Sequence, residues 1–223
     1  MGEFIASFFA TYQDILPVIL MSLYVSLTAT FIASVLGIVA AIPTSLNDFR
    51  LKKPILRITD TLMSLPPVLM GLFVYLLLSR KGPMGRFELL FSPTAMIIAQ
   101  VLLITPIIFG VTVSTLSKTI MEIQKTCISL GAQKFDIYKT IIKESSLQLL
   151  TVVTLGFGRA ISEVGAVMMV GGNIKDYTRV MTTYIALETG KGNFNEAIAI
   201  GIVLLAISFV INYLLHSLQR GEA

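Results

Sequence analysis

Residues 15–42 read ILPVILMSLYVSLTATFIASVLGIVAAI, and no charged side chain occurs between Asp14 and Asp48. As a helix rising about 1.5 Å per residue, this stretch is about 42 Å long. A bilayer's hydrocarbon core is roughly 30 Å thick. One apolar run long enough to cross it, with some tilt or overhang, sets the fold class. Four further runs follow, at residues 61–79, 89–117, 145–170 and 197–218. The second is broken by Pro66-Pro67, the third contains Pro93 and Pro106, and the fourth contains Arg159 and Glu163. The expectation is an all-α integral membrane protein with about five transmembrane helices, in one domain covering residues 1–223.

The composition agrees. Of the 223 residues, 55% are hydrophobic and 13% charged, against averages of roughly 45–50% and 25% in soluble domains. A water-soluble enzyme, a disordered chain and a nucleic-acid module are all excluded. A lone Cys127 allows no intrachain disulfide, and no Cys/His cluster has metal-ligand spacing.

Orientation follows from the basic residues. With the N-terminus outside, ten lie in cytoplasmic segments: Arg50, Lys52, Lys53, Arg57, Lys118, Lys125, Lys134, Lys139, Lys143 and Arg220. Six lie outside: Arg80, Lys81, Arg86, Lys175, Arg179 and Lys191. Acidic residues divide evenly, so the net charge of +4 lies inside, and no nucleic acid is needed to explain it. The N-terminus is expected outside and the C-terminus in the cytoplasm of a cell membrane.

Residues 118–144 are too polar to span and too patterned for a plain linker. Ile120, Ile123, Cys127 and Leu130 recur at helical spacing. Gly131 interrupts, as a helix C-cap would, and Phe135, Tyr138 and Ile142 form a second apolar face. Two amphipathic helices joined at a glycine must bury those faces against their own spans or against a partner. Residues 43–54 read as a short basic turn, residues 80–93 as a punctuated loop, and residues 171–196 as a long polar stretch.

Several motifs then fall into one order. Residues 125–132, KTCISLGA, resemble the EAA loop of binding-protein-dependent ABC permeases, roughly E-A-A-x-x-L-G-A. The match is good at Leu130, Gly131 and Ala132; it departs at Lys125, usually Glu, and at Lys143-Glu144, usually Leu-Pro. Residues 64–71, SLPPVLMG, resemble the L-P-x-x-x-x-G segment of oxyanion permeases. Residues 158–166, GRAISEVGA, resemble the R-x-x-[SG]-E-x-G segment of molybdate, tungstate and sulfate permeases. Residues 168–174 and 182–188, MMVGGNI and TTYIALE, resemble the tungstate branch.

The resemblance implies the permease subunit of an ATP-driven importer, with tungstate the leading substrate and molybdate or sulfate the alternative. It implies a homodimer, two ABC ATPase subunits that bind ATP and Mg, and an extracytoplasmic tungstate- or molybdate-binding protein. It places ATPase coupling at Lys125, Thr126, Cys127, Leu130, Gly131, Ala132 and Phe135. No cofactor is expected on this chain. A self-sufficient secondary transporter is the competing class.

Arg159 and Glu163 are the ionisable residues inside a span, each costing about 2.5–3.5 kcal/mol at mid-bilayer on insertion scales. Four apart on one helix they would share a face, although Arg before Glu is the weaker order for pairing. With Ser162 they are candidates for the translocation path or gate, Arg159 offering a planar fork to a tetrahedral oxyanion. The alternative is a structural salt bridge. Gly156-Phe157-Gly158 and Gly190-Lys191-Gly192 fit neither a dinucleotide fingerprint nor a Walker loop. Ser162-Glu163 has no histidine for a hydrolase triad.

Overall fold

The computed structural model describes the backbone of residues 2–220 and the side chains of residues 15–214 and 217. Among these residues there are helices and no strand: α1 Gly2–Leu46, α2 Lys52–Met63, α3 Pro67–Leu78, α4 Pro93–Ser129, α5 Lys134–Glu144, α6 Ser146–Ile161, α7 Gly165–Gly171, α8 Met181–Lys191 and α9 Phe194–Arg220. Three are long and apolar enough to cross a membrane: Ile15–Leu46, Pro93–Ser129 and Phe194–Leu214. The number rises to five when α2 with α3, and α6 with α7, each count as one broken span.

On α1 most inward positions are small or hydroxylic, among them Ser22, Ser26, Ala29, Thr30, Ala33, Ser34 and Ala41, beside the branched Ile15, Val18, Val25 and Ile42. The large side chains Leu20, Tyr24, Phe31 and Val39 point outward. This inverts a soluble core. Lipid is as apolar as leucine, so bulk gains nothing by burial, and small residues let helix backbones approach. Ser22 Oγ donates to the Val18 carbonyl at 2.7 Å and accepts from the Met181 N–H at 2.8 Å.

The chain divides into two compact units, each drawn from three stretches. The first comprises Met1–Ala29, Pro66–Gln100 and Ala160–Ile211; the second comprises Thr30–Leu65, Val101–Arg159 and Asn212–Ala223. In the first, Val25, Val74, Ala95, Met96, Ala99, Ala166, Val167 and Val170 form a core, and Ile15, Val18, Met181 and Ile200 form another cluster. In the second, Ile42, Leu116, Ile120, Cys127, Ile137, Ile141 and Leu149 pack together.

Four sequence expectations change. The first amphipathic segment of residues 118–144 is the continuation of α4, which passes residue 118 without a break. The second apolar face is Ile137 and Ile141, while Phe135 and Ile142 are exposed and Tyr138 is half-buried. The run FDIYKTII offers either face at helical spacing, and packing onto Ile120 and Leu149 chooses one. The basic turn shrinks to residues 47–51, because α2 already starts at Lys52. The polar stretch 171–196 holds α8: Thr183 Oγ1 accepts the Val180 N–H at 3.2 Å at its start, and Gly192, within the glycine-rich run 190–193, takes φ of 84° at its C-terminus.

Candidate functional site

Two regions gather the residues singled out by sequence. The first is the turn between α4 and α5. Gly131 has φ of 75°, its N–H donates to the Ile128 carbonyl, and the Ala132 N–H donates to the Cys127 carbonyl, both at 3.0 Å. That pair of bonds, with a left-handed glycine just past the helix, is the Schellman ending. Ala132 completes it by packing on the cluster that contains Cys127. The turn leaves Leu130 80% and Phe135 78% exposed, the highest values among the described large apolar side chains. Lys125 and Thr126 are also exposed, Thr126 Oγ1 donating to the Glu122 carbonyl at 3.1 Å. Cys127 is buried and therefore holds the turn rather than presenting a surface.

The second region is the break between α6 and α7 at residues 162–164. Arg159 lies in the last turn of α6, and Glu163 precedes the first residue of α7 by two positions. One unbroken helix carrying both charges on a face, as the sequence suggested, does not form. The order that is unfavourable within one helix suits a broken one. A cation near a helix C-terminus and an anion near the next N-terminus both complement the helix dipoles. Glu163 is only 3% exposed, and its Oε1 accepts the Ala166 N–H of α7 at 3.0 Å. Ser162 is exposed beside it.

A break in an apolar medium frees backbone carbonyls that must find donors. Gln100 Nε2 donates to the Ala160 carbonyl at 3.0 Å. Thr182 Oγ1 donates to the Glu163 carbonyl at 2.8 Å. Gln100 was not singled out beforehand, and Thr182 entered only as the first residue of the TTYIALE resemblance. Gln100 could have been, as the lone carboxamide in the apolar run 89–117. Nothing in that motif pointed to the bond Thr182 makes, since its role depends on α8 lying beside the break. α7 is held against α3 by Gly71, where a Cβ would stand 2.7 Å from the Ala166 Cα. Pro66 and Pro67 begin α3 as its N-cap and first residue, after α2 has ended at Met63.

Beyond the break, a compact loop follows α7. Thr178 Oγ1 donates to the Gly171 carbonyl at 2.6 Å and accepts the Ile174 N–H at 3.0 Å. Thr183 Oγ1 lies 2.9 Å from Asn173 Oδ1, and the Arg179 guanidinium stacks over Tyr184 at 5.1 Å. At the α8–α9 turn the buried Glu188 carboxylate accepts from Lys191 Nζ at 2.7 Å and Asn193 Nδ2 at 2.8 Å. The Lys191 hydrogen bond, then that of Asn193, hold Glu188 below the usual carboxylate range. Among the described residues no cluster of His, Cys, Asp and Glu has the makings of a metal site. What the two regions show is a helix cap at Glu163 and a pair of exposed apolar side chains, Leu130 and Phe135, at the α4–α5 turn.

Comparison with known proteins gives this geometry a setting. Residues 33–221 match the family described as binding-protein-dependent transport system inner membrane component. The tungstate uptake system permease protein TupB of Peptoclostridium acidaminophilum is 45% identical, over 98% of this chain and 99% of its own length. The protein of that name from Campylobacter jejuni is 41% identical over 78% of this chain and 72% of its own. A probable anion ABC transporter permease protein of Haloferax volcanii is 38% identical over 86% and 85%. The chain is therefore a member of the family of binding-protein-dependent transport system inner membrane components.

Proposed function

We propose that this chain is the transmembrane permease of an ATP-driven importer for a tetrahedral oxyanion, tungstate first and molybdate as the alternative. The observation that carries the substrate is the 45% identity to a tungstate uptake permease along 98% of the chain. In this reading two copies form the path, with N-termini outside and C-termini in the cytoplasm. Two separate ATPase subunits bind ATP and Mg below, and an extracytoplasmic binding protein delivers the anion above.

The exposed pair Leu130 and Phe135 supports the coupling role. Two large apolar side chains on a rigid turn suit a groove on a partner better than they suit water. Closure of the ATPase subunits would push on this turn, and α4 would carry the displacement toward the path. At the α6–α7 break, Arg159 would meet the passing anion or gate it, Ser162 would line the same stretch, and Glu163 would act through the α7 N-terminus. Pro66 and Pro67 would set the helix break between α2 and α3.

The test is ATP hydrolysis by the chain copurified with its cognate ATPase, with binding protein loaded with tungstate or molybdate. Stimulation by tungstate-loaded protein alone supports the whole reading. Equal stimulation by molybdate removes the specificity. Failure to copurify an ATPase leaves a self-sufficient transporter. Arg159→Gln that abolishes transport with the complex intact supports the path role; loss of assembly makes Arg159 structural.

A further inference from the structure

Helix α2 has an apolar stripe that its own fold leaves uncovered. One face turns inward: Leu56 packs on Ala41, Phe109 and Val113. Thr59 and Met63 close over Gly110 of α4, where a Cβ would stand 2.6 Å from the Met63 sulfur. A second face carries Leu51, Ile55, Ile58 and Leu62, at intervals of four, three and four. At about 100° per residue these fall within roughly 60° of one another. All four are exposed, Leu51 by 63% and Ile58 by 59%. Lys53 and Arg57 occupy a third face, with Arg50 just ahead of the helix, all exposed. Lys52 is paired with Asp48 at 3.0 Å.

Charge and chain position name what covers the stripe. Lys52, Lys53, Arg57 and Asp60 fall within one twelve-residue helix, which keeps it out of the hydrocarbon core. The long apolar helix α1 ends at Leu46, six residues before α2 starts, so α2 is tethered where the membrane ends. An aliphatic stripe beside exposed arginine and lysine is the surface an interfacial helix offers to anionic headgroups. We propose that α2 lies along the cytoplasmic leaflet, with Leu51, Ile55, Ile58 and Leu62 among the acyl chains and Arg50, Lys53 and Arg57 binding the phosphates of anionic phospholipids. The contact at Gly110 ties this anchor to α4, the helix that leads to the turn at Gly131. The side of the membrane rests on the N-outside orientation proposed above.

The test uses the full chain in vesicles of phosphatidylcholine, alone or mixed with phosphatidylglycerol, spin-labelled at Ile58→Cys or Arg57→Cys, with the unsubstituted chain as control for Cys127. Oxygen is expected to relax the label at 58 more than a water-soluble nickel chelate does, with the reverse at 57. Phosphatidylglycerol is expected to deepen the label at 58. Replacing Arg50, Lys53 and Arg57 by glutamine should weaken this seating about fivefold per charge and erase the phosphatidylglycerol effect. Nickel access at 58 that is high in both lipids overturns the proposal. Spin–spin broadening between two copies at 58, without the oxygen preference, also overturns it and assigns the stripe to a second chain. A membrane-impermeant thiol reagent reacting at Lys53→Cys from the outside would refute the orientation alone, since seating in lipid is read independently of side.

Discussion

Replacing Gly131 by alanine isolates the conformational cost of the α4–α5 turn. Nothing lies within 4 Å of the position a Cβ would take, so the substitution adds no clash. What remains is an L-residue held at φ of 75°, a cost of about 1–2 kcal/mol. The turn's two 3.0 Å end bonds, Gly131 N–H to Ile128 and Ala132 N–H to Cys127, depend on that conformation. Relief comes from opening the turn, and 1–2 kcal/mol moves that equilibrium by roughly 5–30-fold. Thermal unfolding of the purified chain should show Tm lower by about 2–8 °C, and stimulated ATP hydrolysis by the assembled complex should fall. Gly131→Asn should recover most of both, because asparagine visits the left-handed region at lower cost. Unchanged Tm and hydrolysis in Gly131→Ala would refute the argument. So would equal damage from asparagine, since the loss would then not arise from φ.

Gln100→Leu removes the donor to the Ala160 carbonyl inside an apolar region, and should destabilise the chain by about 1–3 kcal/mol in thermal unfolding. Glu163→Gln keeps an acceptor for the Ala166 N–H and should leave stability near wild type, whereas Glu163→Ala should cost about 0.5–2 kcal/mol. Equal stability of the two variants would show that the cap is not what Glu163 contributes. The Glu188 pKa is lowered first by Lys191, so its contribution to stability is present above the ordinary value of 4.5 and is lost as pH falls through the lower, folded value. Amide exchange at Gly192 and Asn193 should therefore accelerate only below that ordinary range, and Lys191→Met should move the onset to higher pH.

How much was legible can be argued from particular residues. The charge-free run 15–42 required a membrane helix whatever its neighbours, because backbone polar groups in hydrocarbon must be satisfied within the segment. Gly131 was legible for a similarly local reason: a left-handed helix ending is a property of the chain at that point. The face of α5 was not, because Phe135 and Ile142 have the same period as Ile137 and Ile141. Nor was α8, whose polar composition and C-terminal Gly192 read equally well as loop.

The α6–α7 break marks the same division. Sequence placed Arg159 and Glu163 four apart and, taking the helix as continuous, gave them a shared face. Only the tertiary structure supplied Gln100 and Thr182 to take up the freed carbonyls, which is what lets a helix stop inside an apolar region. By itself the sequence determined the class of the protein, its apolar runs and the turn at Gly131, since hydropathy and backbone conformation act locally. Which faces are buried, where helices break and which charges become caps were decided by packing, because each depends on groups far away along the chain.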